Sequence, residues 1–186
     1  MATKMLLTAG DFERVVSRLP EDRRYELIRG EIYAMGGVTK RHGEIAIEIG
    51  ARLREWNRRT KAGSIGAEVG YTLERGPDTV RVPDVFFIAK GRVSREQSRR
   101  GYAEVAPDLI VEIRSPSDSW QSLMDRAEQF LEHGSRMALL VEADQFIEVL
   151  RPGEQPERLT LADVFDGADV LPGFSCRVAD FFPEEY

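Results

Sequence analysis

The alternation of apolar and polar residues predicts a β-hairpin followed by a series of strands. In the stretch "YELIRGEIYAMGG" the alternation continues on both sides of Arg29 and Gly30, which predicts strands at Tyr25–Ile28 and Glu31–Ala34 and a turn between them. Apolar runs bounded by turn residues predict five further strands, and the second and third of these are apolar enough for the interior of a sheet. They span residues 67–73, 81–89, 108–113, 137–142 and 146–150.

Apolar residues at helical spacing predict three helices. A short helix follows Thr8, since Thr8 and Asp11 have the spacing of a capping box. The longest helix covers residues 42–60, and the third covers residues 120–133 and stops at Gly134. The order of the elements predicts an α/β fold with a mixed central β-sheet flanked by helices, together with an N-terminal helix and a β-hairpin.

Length and composition favour one domain with its own core. The chain has 186 residues, of which 42% are hydrophobic and 31% are charged, and this suits a single domain over residues 1–186. No apolar run approaches the roughly 18 residues that a membrane span needs, and the apolar stretch near the N-terminus is too short for a signal peptide. We therefore expect a cytoplasmic protein without membrane contact.

The cysteine and histidine content limits the kind of metal site. Cys176 is the single cysteine, so an internal disulfide is excluded. His42 and His133 are the only histidines, too few for a structural zinc site. A bound metal would therefore be held chiefly by oxygen atoms.

The distribution of charge leaves two interpretations open. A net charge of −6 argues against a protein that coats nucleic acid through bulk charge. Two basic clusters are nevertheless present, and they are either phosphate-facing patches or solvated faces. They consist of Arg52, Arg54, Arg58, Arg59 and Lys61 at the end of the long helix, and of Arg92, Arg95, Arg99 and Arg100 in the loop between residues 90 and 107.

Two carboxylates stand at unusual places in the predicted sheet. Asp84 begins the apolar run "DVFFIA", and Glu112 lies inside "LIVEI". A buried carboxylate must be paired, protonated or bound to a cation. Neighbouring strands lie about 4.8 Å apart, so both residues could bind one Mg²⁺, with the carbonyl oxygen of Ile113 as a further ligand. The alternatives are a hydrogen bond from Asp84 to its own backbone and a salt bridge from Glu112 to an arginine.

Two further polar residues face the predicted core. His42 begins the long helix on the same face as Ile45, and it is either a satisfied core or capping residue or a catalytic one. Glu26 in the hairpin falls on the core side of its strand, where it is either part of the site or paired with Arg24 or Arg29.

Taken together, the motifs resemble the Uma2 restriction endonuclease family of the PD-(D/E)XK nuclease superfamily, over nearly the whole chain and in the same order. Phe130 and Gly134, four residues apart on the third helix, belong to this pattern. The other motifs are "YELIRGEIYAMGG", His42 at the opening of a helix, "RVPDVFFIAK", "APDLIVEIRSPSD" and "LPGFSCRVADFF".

The resemblance implies a restriction-endonuclease-like core, a phosphodiesterase site that depends on Mg²⁺ (or Mn²⁺), and commonly a homodimer. Asp84 would be the aspartate of the PD pair and Glu112 the acidic residue that follows it. Glu26 and His42 match two further polar positions of the family's pocket.

The sequence departs from the family at the lysine. The position expected to hold it, four residues before Phe130, is Arg126, and the superfamily position two residues after Glu112 is Arg114. Arginine stabilises negative charge but does not act as a base at neutral pH. Imidazole titrates near neutral pH, so His42 is the candidate general base or accessory ligand.

These features lead to two functional hypotheses. The first is an endonuclease that hydrolyses phosphodiester bonds of nucleic acid, with DNA as the expected substrate, through water activated by a divalent metal. In it, Arg126 or Arg114 stabilises the charge that develops on the phosphate. The alternative is a catalytically weakened module that binds nucleic acid or assembles with a protein but does not cleave.

Overall fold

The computed structural model describes residues 5–21, 23–94, 96–97 and 101–184. In this part of the chain there are three α-helices, twelve strands and a short 3-10 helix (Val178–Phe181). The helices are α1 (Ala9–Val16), α2 (Lys40–Thr60) and α3 (Trp120–Glu132). The strands are β1 (Tyr25–Ile28), β2 (Glu31–Ala34), β3 (Gly63–Gly66), β4 (Tyr71–Glu74), β5 (Thr79–Arg81), β6 (Val85–Ala89), β7 (Leu109–Ile113), β8 (Met137–Glu142), β9 (Phe146–Leu150), β10 (Glu157–Thr160), β11 (Val164–Asp166) and β12 (Ser175–Arg177). None of the described helices is long and apolar enough to cross a membrane.

A six-stranded mixed sheet forms the centre of the fold. Its strand order is β10-β9-β8-β7-β6-β3, and β7 pairs with β8 in parallel while the other neighbours are antiparallel. Helix α3 makes the crossover that a parallel pair requires. A second sheet has the order β2-β1-β5-β4, and β11 pairs with β12. The predicted α/β fold with a mixed sheet is confirmed.

The two faces of the central sheet carry separate apolar clusters. Alternate residues of a strand point to opposite faces, so Val111 of β7 packs with α2 residues Ile45 and Leu53, whereas Ile110 packs with Phe130 of α3. The face covered by α2 also receives aromatic residues from the C-terminal segment. The two helices are therefore fixed on opposite sides of β6 and β7.

Local sequence signals place the N-terminal elements as predicted. Thr8 and Asp11 form a reciprocal capping box at the start of α1. The hairpin strands β1 and β2 have the predicted bounds, and the turn residues Arg29 and Gly30 have φ angles of 50° and 79°. Helix α2 begins two residues earlier than predicted, because the side chain of Thr39 accepts a hydrogen bond from the His42 backbone N–H and so caps it.

Two of the predicted strands are wrong. Residues 81–89 do not form one strand: β5 belongs to the second sheet and β6 to the central sheet. Pro83 lies between them, and because it has no backbone N–H it cannot continue the ladder. Of residues 67–73, only 71–73 form a strand, as part of β4, and Glu68 at φ 55° lies in the segment between β3 and β4. Strands β10, β11 and β12 were not predicted, because they are short and mostly exposed.

We predict that Leu53→Ala lowers the free energy of unfolding by about 2–5 kcal/mol, since it removes a buried side chain and leaves a cavity between α2 and the sheet. Urea titration measures the effect. The exposed Glu55 on the same helix is the control, and Glu55→Ala should change stability by no more than about 0.5 kcal/mol. Equal effects of the two substitutions would show that α2 is not anchored through Leu53.

Candidate active site

Five polar side chains from five parts of the chain meet beside the central sheet. Glu26 comes from β1, His42 from the first turn of α2, Asp84 from the segment before β6, Glu112 from β7 and Arg126 from α3. All five are buried. Buried charged groups require partners, so their contacts decide what the site can do. All of them are residues that the sequence predicts for the site.

Asp84 is the most completely bound of the carboxylates. Its Oδ1 accepts a hydrogen bond of 2.7 Å from Nη1 of Arg24 and lies 3.1 Å from Nε2 of His42. Its Oδ2 accepts a hydrogen bond of 2.8 Å from the backbone N–H of Ile113. Burial acts to raise the pKa of Asp84, but His42, Arg24 and the Ile113 N–H outweigh it and hold that pKa below its ordinary value. Asp84 is therefore ionised and held at both oxygens.

Glu112 is bound at only one oxygen. Its Oε2 lies 3.0 Å from Nη2 of Arg126, so the salt bridge to an arginine that the sequence left open is present. Its Oε1 is buried and has no hydrogen-bond partner among the described residues. Burial, with the smaller contributions of the neighbouring Asp84 and Glu26, raises the pKa of Glu112 to about 8 against the opposing charge of Arg126. Glu112 thus has an acceptor atom free for a cation.

Arg126 joins Glu112 to Glu26. Its Nη2 is 3.3 Å from Oε1 of Glu26 and 3.4 Å from the carbonyl oxygen of Val82. Burial lowers the pKa of Arg126, but Glu112 and Glu26 outweigh burial and raise it, so the guanidinium stays charged. Because Arg126 is itself buried, it acts here as an internal counter-ion between two carboxylates.

Glu26 has partners other than those the sequence suggested. Its Oε2 binds Nη1 of Arg81 at 2.7 Å, and its Oε1 accepts a hydrogen bond from the Val82 N–H at 2.9 Å. The alternative of a pairing with Arg24 is not observed, because Arg24 binds Asp84. Arg24 and Arg81 are thus site residues that sequence reasoning missed. Their positions in the sequence could have indicated this role, since Arg24 directly precedes the first hairpin strand and Arg81 opens the motif that contains Asp84.

The structure places Arg114 and much of the basic surface away from these contacts. Arg114 forms an ion pair with Glu142 at 2.6 Å. Arg52 binds the carbonyl oxygen of Asp180, and Arg92 binds Asp108 at 3.0 Å. Arg54, Arg58, Arg59 and Lys61 are exposed. Arg95, Arg99 and Arg100 lie outside the described residues.

The donor atoms fit a divalent ion held by two carboxylates. No group of three or more His, Cys, Asp and Glu side chains in the described ranges is arranged to hold a metal. Mg²⁺ usually takes only one or two carboxylates and completes its shell with water and substrate oxygens. Asp84 and the unpartnered Oε1 of Glu112 supply that number of hard oxygen ligands. A bound cation would also satisfy the buried Oε1 of Glu112.

The fold and the site together define a class of protein. A mixed sheet with helices on both faces, and carboxylates on two of its adjacent strand segments, is the architecture of a restriction-endonuclease-like nuclease fold. Residues 10–179 match the model of the family Uma2, described as "Putative restriction endonuclease". The chain belongs to the Uma2 family, as its motifs indicated.

A solved structure supports the fold assignment. The chain is similar to the crystal structure of "a putative nuclease belonging to DUF820 from Anabaena variabilis ATCC 29413", with a TM-score of 0.78. The two share 23% sequence identity over 95% of this chain and 97% of that chain. At this identity the likeness establishes the fold. No curated protein matches the sequence.

The raised pKa of Glu112 predicts a pH dependence of stability. The ordinary pKa is 4.5 and the folded-state value is about 8, so between these values the unfolded chain has lost a proton that the folded chain keeps. Raising the pH then favours unfolding, and this one group lowers the free energy of unfolding by up to about 1.4 kcal/mol per pH unit.

Glu112→Gln cannot ionise, so its stability relative to the wild type should increase from pH 5 to pH 8. Urea titrations in EDTA at each pH measure this difference, and the exposed Glu55→Gln serves as the control that should follow the wild type. A constant difference between Glu112→Gln and the wild type would mean that Glu112 is ionised throughout.

Proposed function

We propose that the protein is a divalent-metal-dependent endonuclease that hydrolyses phosphodiester bonds of nucleic acid, with DNA as the expected substrate. The observation that supports this most is the pair Asp84 and Glu112, which are buried on adjacent strand segments, with Oε1 of Glu112 unpartnered among the described residues. A family described as restriction endonuclease and a nuclease-like fold agree with it.

In this proposal Asp84 and Glu112, with the carbonyl oxygen of Ile113, hold Mg²⁺ or Mn²⁺. When bound, such an ion polarises a water molecule and neutralises charge on the phosphate. The contacts of Asp84 support its part in this. Arg24, His42 and the Ile113 N–H hold its carboxylate ionised and fixed in orientation. A ligand held in this way needs little reorganisation to bind a cation.

His42 is the proposed proton acceptor. Its Nε2 faces Asp84 at 3.1 Å, which orients the ring, and its Nδ1 has no partner among the described residues. An imidazole oriented by a carboxylate at one nitrogen accepts a proton at the other. His42 therefore removes the proton from the attacking water at Nδ1, or serves as an accessory ligand.

The arginines are proposed to divide two tasks. Arg126 orients Glu112 and Glu26 through its Nη2 and supplies positive charge to the site. Arg24 is partly exposed, with 23% of its side chain accessible, and so it is the cation that contacts a phosphate oxygen of the substrate. A similar role for Arg114 stays a prediction, with Glu142 as its partner in this structure.

One observation supports the second candidate function, a nuclease-fold module that binds without cleaving. Arg126 stands where the family's lysine is expected, and it occupies Oε2 of Glu112, an atom that would otherwise be free. A guanidinium locked between two glutamates does not transfer protons. If this arrangement disables the site, the protein retains a binding or assembly role. The homodimer and the cytoplasmic location expected from the sequence stay predictions under both functions.

We predict that the wild-type protein cleaves supercoiled plasmid in Mg²⁺ or Mn²⁺ and not in EDTA. Asp84→Ala should reduce cleavage to the EDTA background, because it removes a proposed metal ligand and the partner of Arg24 and His42. Gel electrophoresis of the plasmid forms measures the products. Glu148→Gln, at a buried glutamate of β9 that is bound to Arg158 and lies two strands away from Glu112, is the control and should retain activity.

Arg126→Lys separates the two candidate functions. If the wild type is inactive and Arg126→Lys cleaves, the arginine has disabled a nuclease site. If no variant cleaves under any metal condition, the endonuclease proposal is wrong and the binding function is favoured.

A further inference from the structure

An open cavity of about 550 Å³ adjoins the carboxylate site. One wall is the face of α2 that carries Gly43, Ile47 and Gly50, and the opposite wall includes Ile65 of β3. His42 and Asp84 also line it. We call this cavity the α2 groove. Because two of the proposed catalytic residues belong to its lining, an occupant of the groove would lie next to the reacting atoms.

Two glycines on the α2 wall have no explanation in the packing of the protein itself. Gly43 and Gly50 are seven residues apart inside a helix of 21 residues, so they lie on the same face. Glycine weakens a helix interior relative to alanine. A methyl group at either position would meet no atom within 4 Å from the packing around the helix. Alanine would therefore fit both positions in the isolated chain.

The two glycines of β3 differ from those of α2, because neighbouring atoms leave no room for a side chain there. A methyl group at Gly63 would lie 2.0 Å from the carbonyl oxygen of Ile88, and one at Gly66 would lie 2.4 Å from the ring of Phe86. Internal packing therefore requires glycine in β3. In α2, glycine instead leaves the helix backbone open to close approach from outside the protein.

His42 gives an independent indication of a ligand. Its side chain is 6% exposed, it lines the groove, and its Nδ1 has no hydrogen-bond partner in the described part of the chain. A buried, unpartnered ring nitrogen is costly unless a bound molecule or water satisfies it. The groove thus combines an open wall with an unsatisfied polar atom beside the proposed reaction centre.

The lining favours a nucleobase over a stretch of phosphate backbone. It is chiefly aliphatic, with Ile47 exposed over 75% of its surface, and Arg54 is the one Lys or Arg among the lining residues that the structure describes. Sites that track phosphates use several cations. A volume of 550 Å³ is that of a small-molecule pocket and cannot admit a double helix.

We propose that the α2 groove holds an unpaired nucleotide next to the scissile phosphate, with its base against Ile47 and Ile65, its backbone close to Gly43 and Gly50, and a neighbouring phosphate at Arg54. The substrate of the site is then single-stranded DNA, or DNA that is locally unpaired, because a paired base cannot leave the stack to enter a pocket without a cost in free energy. This inference rests on the proposed endonuclease function for its choice of ligand.

The test is binding of a fluorescent single-stranded oligodeoxynucleotide, measured by anisotropy with Ca²⁺ in place of Mg²⁺ so that binding is observed apart from turnover. Gly50→Leu fills the groove, and we expect it to raise the Kd about tenfold or more. Glu55→Leu places the same side chain on the exposed part of the same helix outside the groove, and its Kd should equal that of the wild type. Thermal unfolding confirms that both variants fold.

The wild type should also bind the single strand more tightly than a duplex of the same sequence. Equal binding of strand and duplex, or an unchanged Kd for Gly50→Leu, would overturn the proposal. A change of oligomeric state in Gly50→Leu without loss of strand binding would overturn it too, since the groove would then be a contact between two copies of the chain. Groove-dependent binding without cleavage in Mg²⁺ would uphold this inference while the endonuclease proposal fails.

Discussion

The arrangement of the site depends on the point at which the chain passes from one sheet to the other. Pro83 cannot continue the ladder of β5, and Asp84 follows it directly before β6. The backbone N–H of Asp84 bonds to the carbonyl of Val111, and its side chain accepts a hydrogen bond from the Ile113 N–H. The same carboxylate binds Arg24 and His42. Asp84 therefore connects the central sheet, the second sheet and α2.

The remaining charges form a second buried group around Glu26. Glu26 binds both Arg81 and Arg126, and Arg126 binds Glu112. Ion pairs of this kind seldom add stability over apolar packing, but the loss of one partner is strongly destabilising, by about 3–5 kcal/mol, because it leaves an uncompensated charge. The arrangement is therefore better explained by function than by stability. Within it, Oε1 of Glu112 is a buried acceptor that none of the described residues satisfies.

Much of this arrangement could be predicted from the sequence, because its signals are local. The hairpin strands, the N-terminal cap of α1 and the pairing of β6 with β7 follow from alternation, cap residues and apolar runs. The partners of Glu26 could not be predicted, since Arg81 and Arg126 are distant in sequence and meet it only through the packing of two sheets with α3. The division of residues 81–89 was missed because the apolar run concealed the effect of Pro83.

The central claim, that Asp84 and Glu112 hold a divalent cation, is tested most directly by the thermal stability of the protein in a titration with Mn²⁺ or Mg²⁺. A ligand that binds only the folded state stabilises it, by about 2.7 kcal/mol when its concentration is 100 times Kd. The wild type and Glu148→Gln should show this rise in melting temperature, and Asp84→Asn and Glu112→Gln should lose it. A rise of the same size in all four proteins would place the ion elsewhere, and the absence of a rise in the wild type would contradict the metal site.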